Sequence, residues 1–149
     1  MLQLRNYVPL LKTGVAEMEA YRALYPDVKD SLFPVFLARP WPNASHFDFT
    51  IDKVREAIGD HPFGFALDSD RHRHSNTPPA QQEFDALFNS RLGYAHYYEV
   101  VESFDHAVPV LIPTTNPDVL IRQIGNAERL DRGLIVHQRR HATIPLSNL

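Results

Sequence analysis

The segment FGFALDSDRHRH, residues Phe63–His74, decides the fold of this chain. It begins with a short apolar run, Phe63–Leu67, and then changes abruptly to aspartate and histidine side chains in alternate positions. A short continuous apolar run is typical of a buried parallel strand, and in α/β proteins the ligand-facing loops follow the carboxyl ends of such strands. The segment therefore predicts both a central strand and the position of a candidate site.

Four further apolar runs alternate with segments of helical periodicity. They cover Tyr7–Leu11, Leu32–Ala38, Val108–Ile112 and Leu134–Val136. This alternation predicts an α/β fold made of βαβ units, with a parallel sheet of about five strands that helices cover on both faces. We expect a core formed by Phe33, Val35, Val54, Phe65, Leu67, Leu87, Val110, Ile112, Leu120, Ile124 and Ile135.

Two architectures fit the predicted pattern. One is the first half of a TIM-barrel-like (β/α)₈ fold, which needs about 250 residues when complete. The other is an open doubly wound sheet of the flavodoxin type, for which five strands is a normal size. Both place the candidate site beyond the carboxyl ends of the strands.

Residues at the predicted helix ends carry recognisable signals. Thr13 and Thr50 each precede a helix, where a threonine side chain can accept a hydrogen bond from the first turn. Gly59 follows the second predicted helix and is suited to end it, because glycine adopts positive φ angles without steric cost. Asn116 and Pro117 start the last helix, since proline is favoured in a first helical turn.

Composition excludes several classes of protein. The chain has 149 residues, a one-domain length, so we expect a single α/β domain over residues 1–149. The absence of cysteine excludes disulfides, thiolate catalysis and cysteine-based zinc sites. A net charge of −3 makes nucleic acid an unfavourable partner. No run approaches the roughly 20 apolar residues of a membrane helix, and the N-terminus has no signal-peptide pattern. We therefore expect a cytoplasmic protein.

Charged residues follow each predicted strand at the edge where a site is expected. They include both signs of charge and an imidazole, a combination that can bind an anionic group and transfer a proton. We assign candidate catalytic roles to Asp68 and His137, and candidate ligand-binding roles to Lys12, Arg39, Asp70 and Arg139. The alternative is that these are ordinary polar residues of the rim.

The sequence predicts no metal site and no cofactor. Asp68, Asp70, His72 and His74 alternate, and such clusters can bind metal ions, but arginines stand between them and ligands from other strands would be needed. Glycine-rich phosphate loops and nucleophile-elbow motifs are absent from the sequence. Trp41 is interpreted as a residue that packs under its own loop, and the tyrosines between 94 and 98 as core contacts.

Several segments resemble successive motifs of the phage and prophage beta protein family. In chain order they are YVPLLK at 7–12, PVFLARPWPN at 34–43, FALDSD at 65–70, VPVLIP at 108–113 and LDRGLIVHQRR at 130–140. The resemblance implies a TIM-barrel-like protein of mostly unassigned function, of which this chain would be the N-terminal half. Some relatives carry an acid late in the second strand, where this chain has Leu37 and then Arg39. This difference argues against an acid-based mechanism there.

Two functions follow from these observations. The first is a phage-type protein that binds a host or phage protein, or associates with itself, through the strand at 134–136 and the tail that follows it. The second is an α/β enzyme that binds a phosphate or carboxylate substrate at the strand ends. An enzyme should have a deep pocket that gathers Arg39, Asp68 and His137, whereas a binding protein should have a flat or strand-edge contact.

Overall fold

The computed structural model describes residues 7–69 and 79–137, which form an α/β structure around a parallel sheet. Strands and helices alternate along the chain as the apolar pattern predicts. The elements are β1 (Leu10–Lys12), α1 (Val15–Arg22), α2 (Pro26–Asp30), β2 (Val35–Ala38), α3 (Asp48–Ile58), β3 (Phe63–Leu67), α4 (Pro79–Ala86), α5 (Ala95–Ser103), β4 (Ala107–Pro109) and α6 (Pro117–Leu130).

The sheet has four strands in the order β1-β2-β3-β4, and every neighbouring pair is parallel. The predicted fifth strand is reduced to a bridge between Val110 and Ile135. The Ile135 N–H donates to the carbonyl of Pro109 at 2.9 Å, and the Leu111 N–H donates to the carbonyl of Ile135 at 2.8 Å. The described sheet therefore has four strands rather than five, because Ile135 alone of the predicted fifth strand pairs with the neighbouring segment.

The first strand starts later than predicted. Tyr7 forms an isolated bridge with Leu32, and regular pairing begins only at Leu10. Pro9 lies between these two points and has no N–H group, although its carbonyl accepts a bond from Val35 at 2.8 Å. The proline thus interrupts the ladder and delays the strand.

The helices that contribute to the core pack against one face of the sheet. One apolar cluster joins side chains of β2, β3 and β4, including Phe36, Phe63 and Phe65, to residues of α1, α3, α4, α5 and α6. The cluster on the opposite face contains no residue of a helix; its members are Phe33, Val35, Ala66, Val108 and Val110, with Leu37 and Ile135 beside them. The expectation of helices on both faces is wrong for the described residues.

One-sided covering follows from the strand order. Successive right-handed crossovers between strands in sequential order place every helix on the same face of a sheet. In a doubly wound sheet the spatial order of the strands reverses at one point, and the four described strands show no such reversal. The described residues therefore do not fit the flavodoxin-like alternative.

A glycine on the helix-free face allows a close approach between strands. Gly64 lies in β3, in the row that pairs with Val35 of β2 and Val108 of β4. A Cβ atom at this glycine would lie 2.7 Å from Cδ1 of Ile135 and 3.0 Å from Cγ2 of Val35. The side chain of Ile135 thus occupies the space that a side chain at residue 64 would need.

Most of the predicted core is buried. The buried members are Phe33, Val35, Val54, Phe65, Leu87 and Val110, and the half-buried ones are Leu67, Ile112, Leu120 and Ile135. The prediction is wrong for Ile124, which is 41% exposed. Helix α6 instead buries Gln123 and Ala127, because the amide of Gln123 finds partners on the backbone of Ile112.

The capping predictions are correct for two helices and wrong for two. Gly59 ends α3 with a φ of 57°, and the Asn116 side chain accepts the N–H of Asp118 at 3.0 Å. Thr13 and Thr50 do not cap helices. Both are fully buried, and their hydroxyl groups bond to the backbone of a neighbouring strand end instead.

A left-handed turn joins α4 to α5 and packs on α6. Leu92, Gly93 and Tyr94 have φ angles of 55°, 68° and 60°. A Cβ atom on Gly93 would lie 2.6 Å from the Cβ of Arg122, so only glycine fits at this contact. The side-chain amide of Asn126 donates to the carbonyls of Leu92 and Gly93 at 3.1 and 3.0 Å. The turn is therefore held against the flank of α6.

Candidate functional site

Arg39 and Asp68 form an ion pair at the carboxyl ends of β2 and β3. Ala38 and Leu67 are partners in the ladder, and the Asp68 N–H donates to the carbonyl of Ala38 at 2.9 Å. Arg39 follows Ala38 and Asp68 follows Leu67, so these two residues lie side by side. Nε and Nη2 of Arg39 both donate to Oδ2 of Asp68, at 3.0 and 2.5 Å. The structure thus brings together two of the predicted site residues.

The backbone of Arg39 is fixed by two buried threonines. The Thr13 hydroxyl accepts the Arg39 N–H at 2.9 Å and donates to the Arg39 carbonyl at 3.0 Å. The Thr50 hydroxyl donates to the same carbonyl at 3.2 Å and accepts the Trp41 N–H at 2.8 Å. The start of the loop after β2 is therefore rigidly attached to β1 and α3.

Burial is unequal within the ion pair. The side chain of Asp68 is 4% exposed and that of Arg39 is 35% exposed. The carboxylate holds the guanidinium in one orientation while part of Arg39 still faces solvent. A preoriented, partly exposed arginine is suited to bind a planar anion such as a carboxylate or phosphate.

The remaining predicted site residues are not joined to this pair. Lys12 ends β1 opposite Leu37, and His137 lies two residues beyond Ile135 with an exposed side chain. Among the described residues, no hydrogen bond or ion pair links Lys12 or His137 to the Arg39–Asp68 pair. The predicted site residues Asp70 and Arg139, together with His72 and His74, lie outside the described residues. The described part contains no group of three acidic or histidine residues able to hold a metal ion.

Tyr97 separates β3 from β4 at their carboxyl ends. Continuation of the parallel ladder would join the Phe65 carbonyl to the Val110 N–H. Instead the Tyr97 hydroxyl accepts the Val110 N–H at 2.8 Å and donates to the Phe65 carbonyl. Burial raises the pKa of Tyr97, so the hydroxyl stays protonated and keeps its donor role. The Arg39–Asp68 pair and His137 therefore lie on opposite sides of a break in the sheet.

Gln123 is a buried polar residue whose role was not predicted from the sequence. Its side chain forms two hydrogen bonds with the backbone of Ile112, donating to the carbonyl at 2.8 Å and accepting the N–H at 2.9 Å. The Tyr98 hydroxyl lies 3.5 Å from the same amide oxygen, and burial raises the pKa of Tyr98 to about 12. A polar residue within the helical spacing of Leu120 and Ala127 was the available signal in the sequence.

A groove of about 440 Å³ lies beside the loop after β2. It is lined by Trp41, Pro42, Asn43, Ala44, Ser45, His46, Phe49 and Asp52. The ring of Trp41 contacts that of Phe49 edge-on at 6.1 Å, and the ammonium group of Lys53 lies over both rings. Neither Arg39, Asp68 nor His137 lines this groove, so it does not gather the predicted catalytic residues.

His46, which lines the groove, contacts Glu83 of α4. Nδ1 of His46 lies 2.8 Å from Oε1 of Glu83, and the other oxygen of Glu83 accepts the Phe47 N–H at 3.0 Å. The hydrogen bond with Glu83 raises the pKa of His46, and the hydrogen bond with His46 lowers the pKa of Glu83. The carboxylate thereby supplies the N-terminal cap that α3 lacks from its own sequence.

Comparison with known proteins gives a family match and a similar phage protein. A family model described as "Beta protein" matches residues 7–146. The curated protein named Protein beta, from Enterobacteria phage P4, is 24% identical over 106 residues, which is 71% of this chain and 28% of that protein. The chain thus spans less than a third of that relative in the match. No solved structure gives a significant match. No helix among the described residues is long and apolar enough to cross a membrane. Because the family model covers most of its length, the chain belongs to the beta protein family.

Proposed function

We propose that this member of the beta protein family acts by binding a host or phage protein along the sheet edge at Ile135 and Val136. The observation that supports the proposal most directly is the exposure of Val136, whose side chain is 63% exposed beside a single bridge to β4. Unpaired backbone N–H and C=O groups at a sheet edge can pair with another chain, and an exposed apolar side chain there favours such association. We place this activity in the cytoplasm of the bacterial host.

The half-barrel interpretation supports the same proposal. Sequential strand order and one-sided helices are features of a (β/α)₈ barrel. A partial barrel leaves an edge strand on each side, and unpaired strand edges favour association. We propose that the described strands belong to a TIM-barrel-like domain and that the Ile135 edge pairs with a further strand.

The Arg39–Asp68 pair favours a second candidate, an α/β enzyme that binds a phosphate or carboxylate at the strand ends. Its support is the preoriented guanidinium of Arg39, which is 35% exposed. The lining of the groove at the loop after β2 does not include this pair, and among the described residues no hydrogen bond or ion pair joins His137 to it. We favour the binding function because Arg39, Asp68 and His137 do not line the groove described above.

A pull-down from host extract combined with size measurement tests the binding proposal. The wild-type chain should capture a defined host or phage protein, and Val136→Lys should abolish capture because a charge at the edge opposes strand pairing. Val28→Lys is the matched control: Val28 is 38% exposed on α2, away from this edge, and should leave capture unchanged. Equal capture by both variants would contradict the proposal.

A further inference from the structure

The helix-free face of the sheet changes from apolar to charged towards its carboxyl edge. Lys12 of β1 and Leu37 of β2 are register partners, and Leu37 packs on the apolar cluster of this face. Register partners in a parallel pair point to the same face, and so do residues two apart along one strand. Lys12 therefore lies on the helix-free face, and Arg39, two residues after Leu37, follows on the same face.

The carboxylate of Asp68 belongs to this face as well. Ala66 of β3 is a member of the apolar cluster there, and Asp68 stands two residues later. The pairing of β2 and β3 continues this far, because the Asp68 N–H donates to the carbonyl of Ala38 at 2.9 Å. Three neighbouring strand ends thus place two cations and one carboxylate above the apolar cluster, and positive charge is in excess.

Arg39 keeps several donors on the side away from this carboxylate. Nε and Nη2 each donate to Oδ2 of Asp68, at 3.0 and 2.5 Å. A guanidinium carries five N–H groups, so both groups of Nη1 and the second one of Nη2 are left over. These end-on groups can donate in parallel to two oxygens of a phosphate or carboxylate. Within the described ranges they have no partner, and the side chain of Arg39 is 35% exposed.

Lys12 supplies a second cation within reach of the same anion. Its backbone N–H donates to the carboxylate of Glu17, and its side chain is half-buried. No acidic side chain of residues 7–69 and 79–137 forms an ion pair with its ammonium group. Standard strand spacings put the Cα atoms of Lys12 and Arg39 about 8 Å apart. Both side chains are long enough to meet at one anion between them.

The number of oxygens that these two cations engage distinguishes phosphate from carboxylate. A carboxylate has two oxygens, and both of them accept from the end-on donors of Arg39. The phosphate of a monoester has three strong acceptor oxygens, so one is left for the ammonium group of Lys12. The combination of arginine and lysine therefore favours a phosphate monoester over a carboxylate.

We infer that Lys12 and Arg39 bind the phosphate group of a small phosphate monoester on the helix-free face, at the carboxyl ends of β1 and β2. Asp68 orients the guanidinium for this contact. The inference rests on the second candidate function and narrows its phosphate or carboxylate substrate to a phosphate monoester. It does not involve the edge at Ile135.

Phenyl phosphate and benzoate are matched probes, because they share the ring and differ in the anionic group. In isothermal titration calorimetry the full chain should bind phenyl phosphate saturably and about tenfold more tightly than benzoate. Lys12→Gln should remove this difference: phenyl phosphate should bind about tenfold more weakly, and benzoate almost as before. Arg39→Lys should weaken both, since it loses the planar fork but keeps a cation beside Asp68, which protects the fold.

Lys53→Gln is the control, because its ammonium group lies over the rings of Trp41 and Phe49 and should not affect either probe. Urea denaturation should give every variant a cooperative transition. No saturable binding of phenyl phosphate, equal weakening by Lys53→Gln, or an equal loss for both probes in Lys12→Gln would overturn the inference.

The two proposed functions are tested by separate readouts. Release of phenol, followed in the same samples, tests the enzyme candidate, so binding as expected without turnover would support the phosphate site and count against that candidate. Capture that depends on Val136 tests the binding function. If capture succeeds and phenyl phosphate does not bind, only the present inference is contradicted.

Discussion

The hydroxyl group of Tyr97 lies between the carbonyl of Phe65 and the N–H of Val110 and replaces a hydrogen bond of the parallel ladder. All three groups belong to buried residues. The phenol thus forms hydrogen bonds with the backbone of both strands. Its insertion between them fixes the point at which direct pairing of β3 and β4 ends. Removing the hydroxyl would leave a buried carbonyl and a buried N–H without their partner.

Tyr97→Phe should therefore reduce the free energy of unfolding by about 1–3 kcal/mol, the usual cost of leaving buried polar groups unsatisfied. Tyr98→Phe is the control: its hydroxyl lies 3.5 Å from the Gln123 oxygen, which Ile112 also contacts, so its loss should cost less. Urea denaturation of the two variants measures the difference. Equal destabilisation would contradict the bridging role of Tyr97.

Gly93→Ala should destabilise the protein, whereas Gly125→Ala should not. An alanine at residue 93 would meet the Cβ of Arg122 at 2.6 Å and would also keep a φ of 68°. The backbone conformation alone costs about 1 kcal/mol or more, and the clash adds to it. No atom lies within 4 Å of a Cβ at Gly125, so alanine there should stabilise α6 by about 0.5–1 kcal/mol. Thermal unfolding of both variants checks the opposite signs.

The His46–Glu83 contact should contribute to stability in a limited pH range. The pKa of His46 is raised above 6.5, so its contribution is complete below pH 6.5 and is lost as the pH rises through the raised value. The pKa of Glu83 is lowered below 4.5, so its contribution is complete above pH 4.5 and is lost as the pH falls through the lowered value. The contact therefore contributes most to stability between pH 4.5 and pH 6.5.

An NMR titration of the His46 ring checks this pH dependence. The midpoint should lie above 6.5 in the wild type and should fall towards 6.5 in Glu83→Gln, since the largest cause of the shift is removed. Glu99→Gln changes a carboxylate that contacts a different histidine, His96, and should leave the His46 midpoint unchanged. An unchanged midpoint in Glu83→Gln would show that the contact is not formed in solution.

A double-mutant cycle on Arg39 and Asp68 should give a coupling free energy of about 1–2 kcal/mol, because the carboxylate is 4% exposed and receives two hydrogen bonds. The value is kept modest because solvent reaches Arg39 and screens the pair. The cycle on Arg55 and Asp52, both exposed, is the matched comparison and should give less than about 0.5 kcal/mol. Similar coupling free energies in the two cycles would contradict the expectation that burial of Asp68 strengthens its ion pair with Arg39.

Strand identity was predictable from the sequence because it depends on local pattern. The run Phe63–Leu67 is a strand with the predicted bounds. The proximity of Arg39 and Asp68 was also predictable, since each follows a neighbouring parallel strand. Both predictions use rules that need no knowledge of tertiary packing.

The roles of the buried polar residues were not predictable in this way. Thr13 and Thr50 carry the local signal of helix caps, yet both hydroxyl groups bond to the backbone of Arg39, after the end of β2. Ile124 has the periodicity of a core residue, yet Gln123 takes the buried position because Ile112 offers it two backbone partners. In each case a tertiary hydrogen bond overrides the local pattern.

Gly64 and Ile135 share one volume on the helix-free face, because a Cβ at residue 64 would lie 2.7 Å from the isoleucine side chain. A side chain at residue 64 requires the end of the Ile135 side chain to rotate away and the Val35 side chain to shift slightly. The last bridge of the sheet is thus linked to a residue about seventy positions earlier in the chain. Within the family, these two positions should change together, and engineering of the Ile135 edge has to treat Gly64 as part of the same surface.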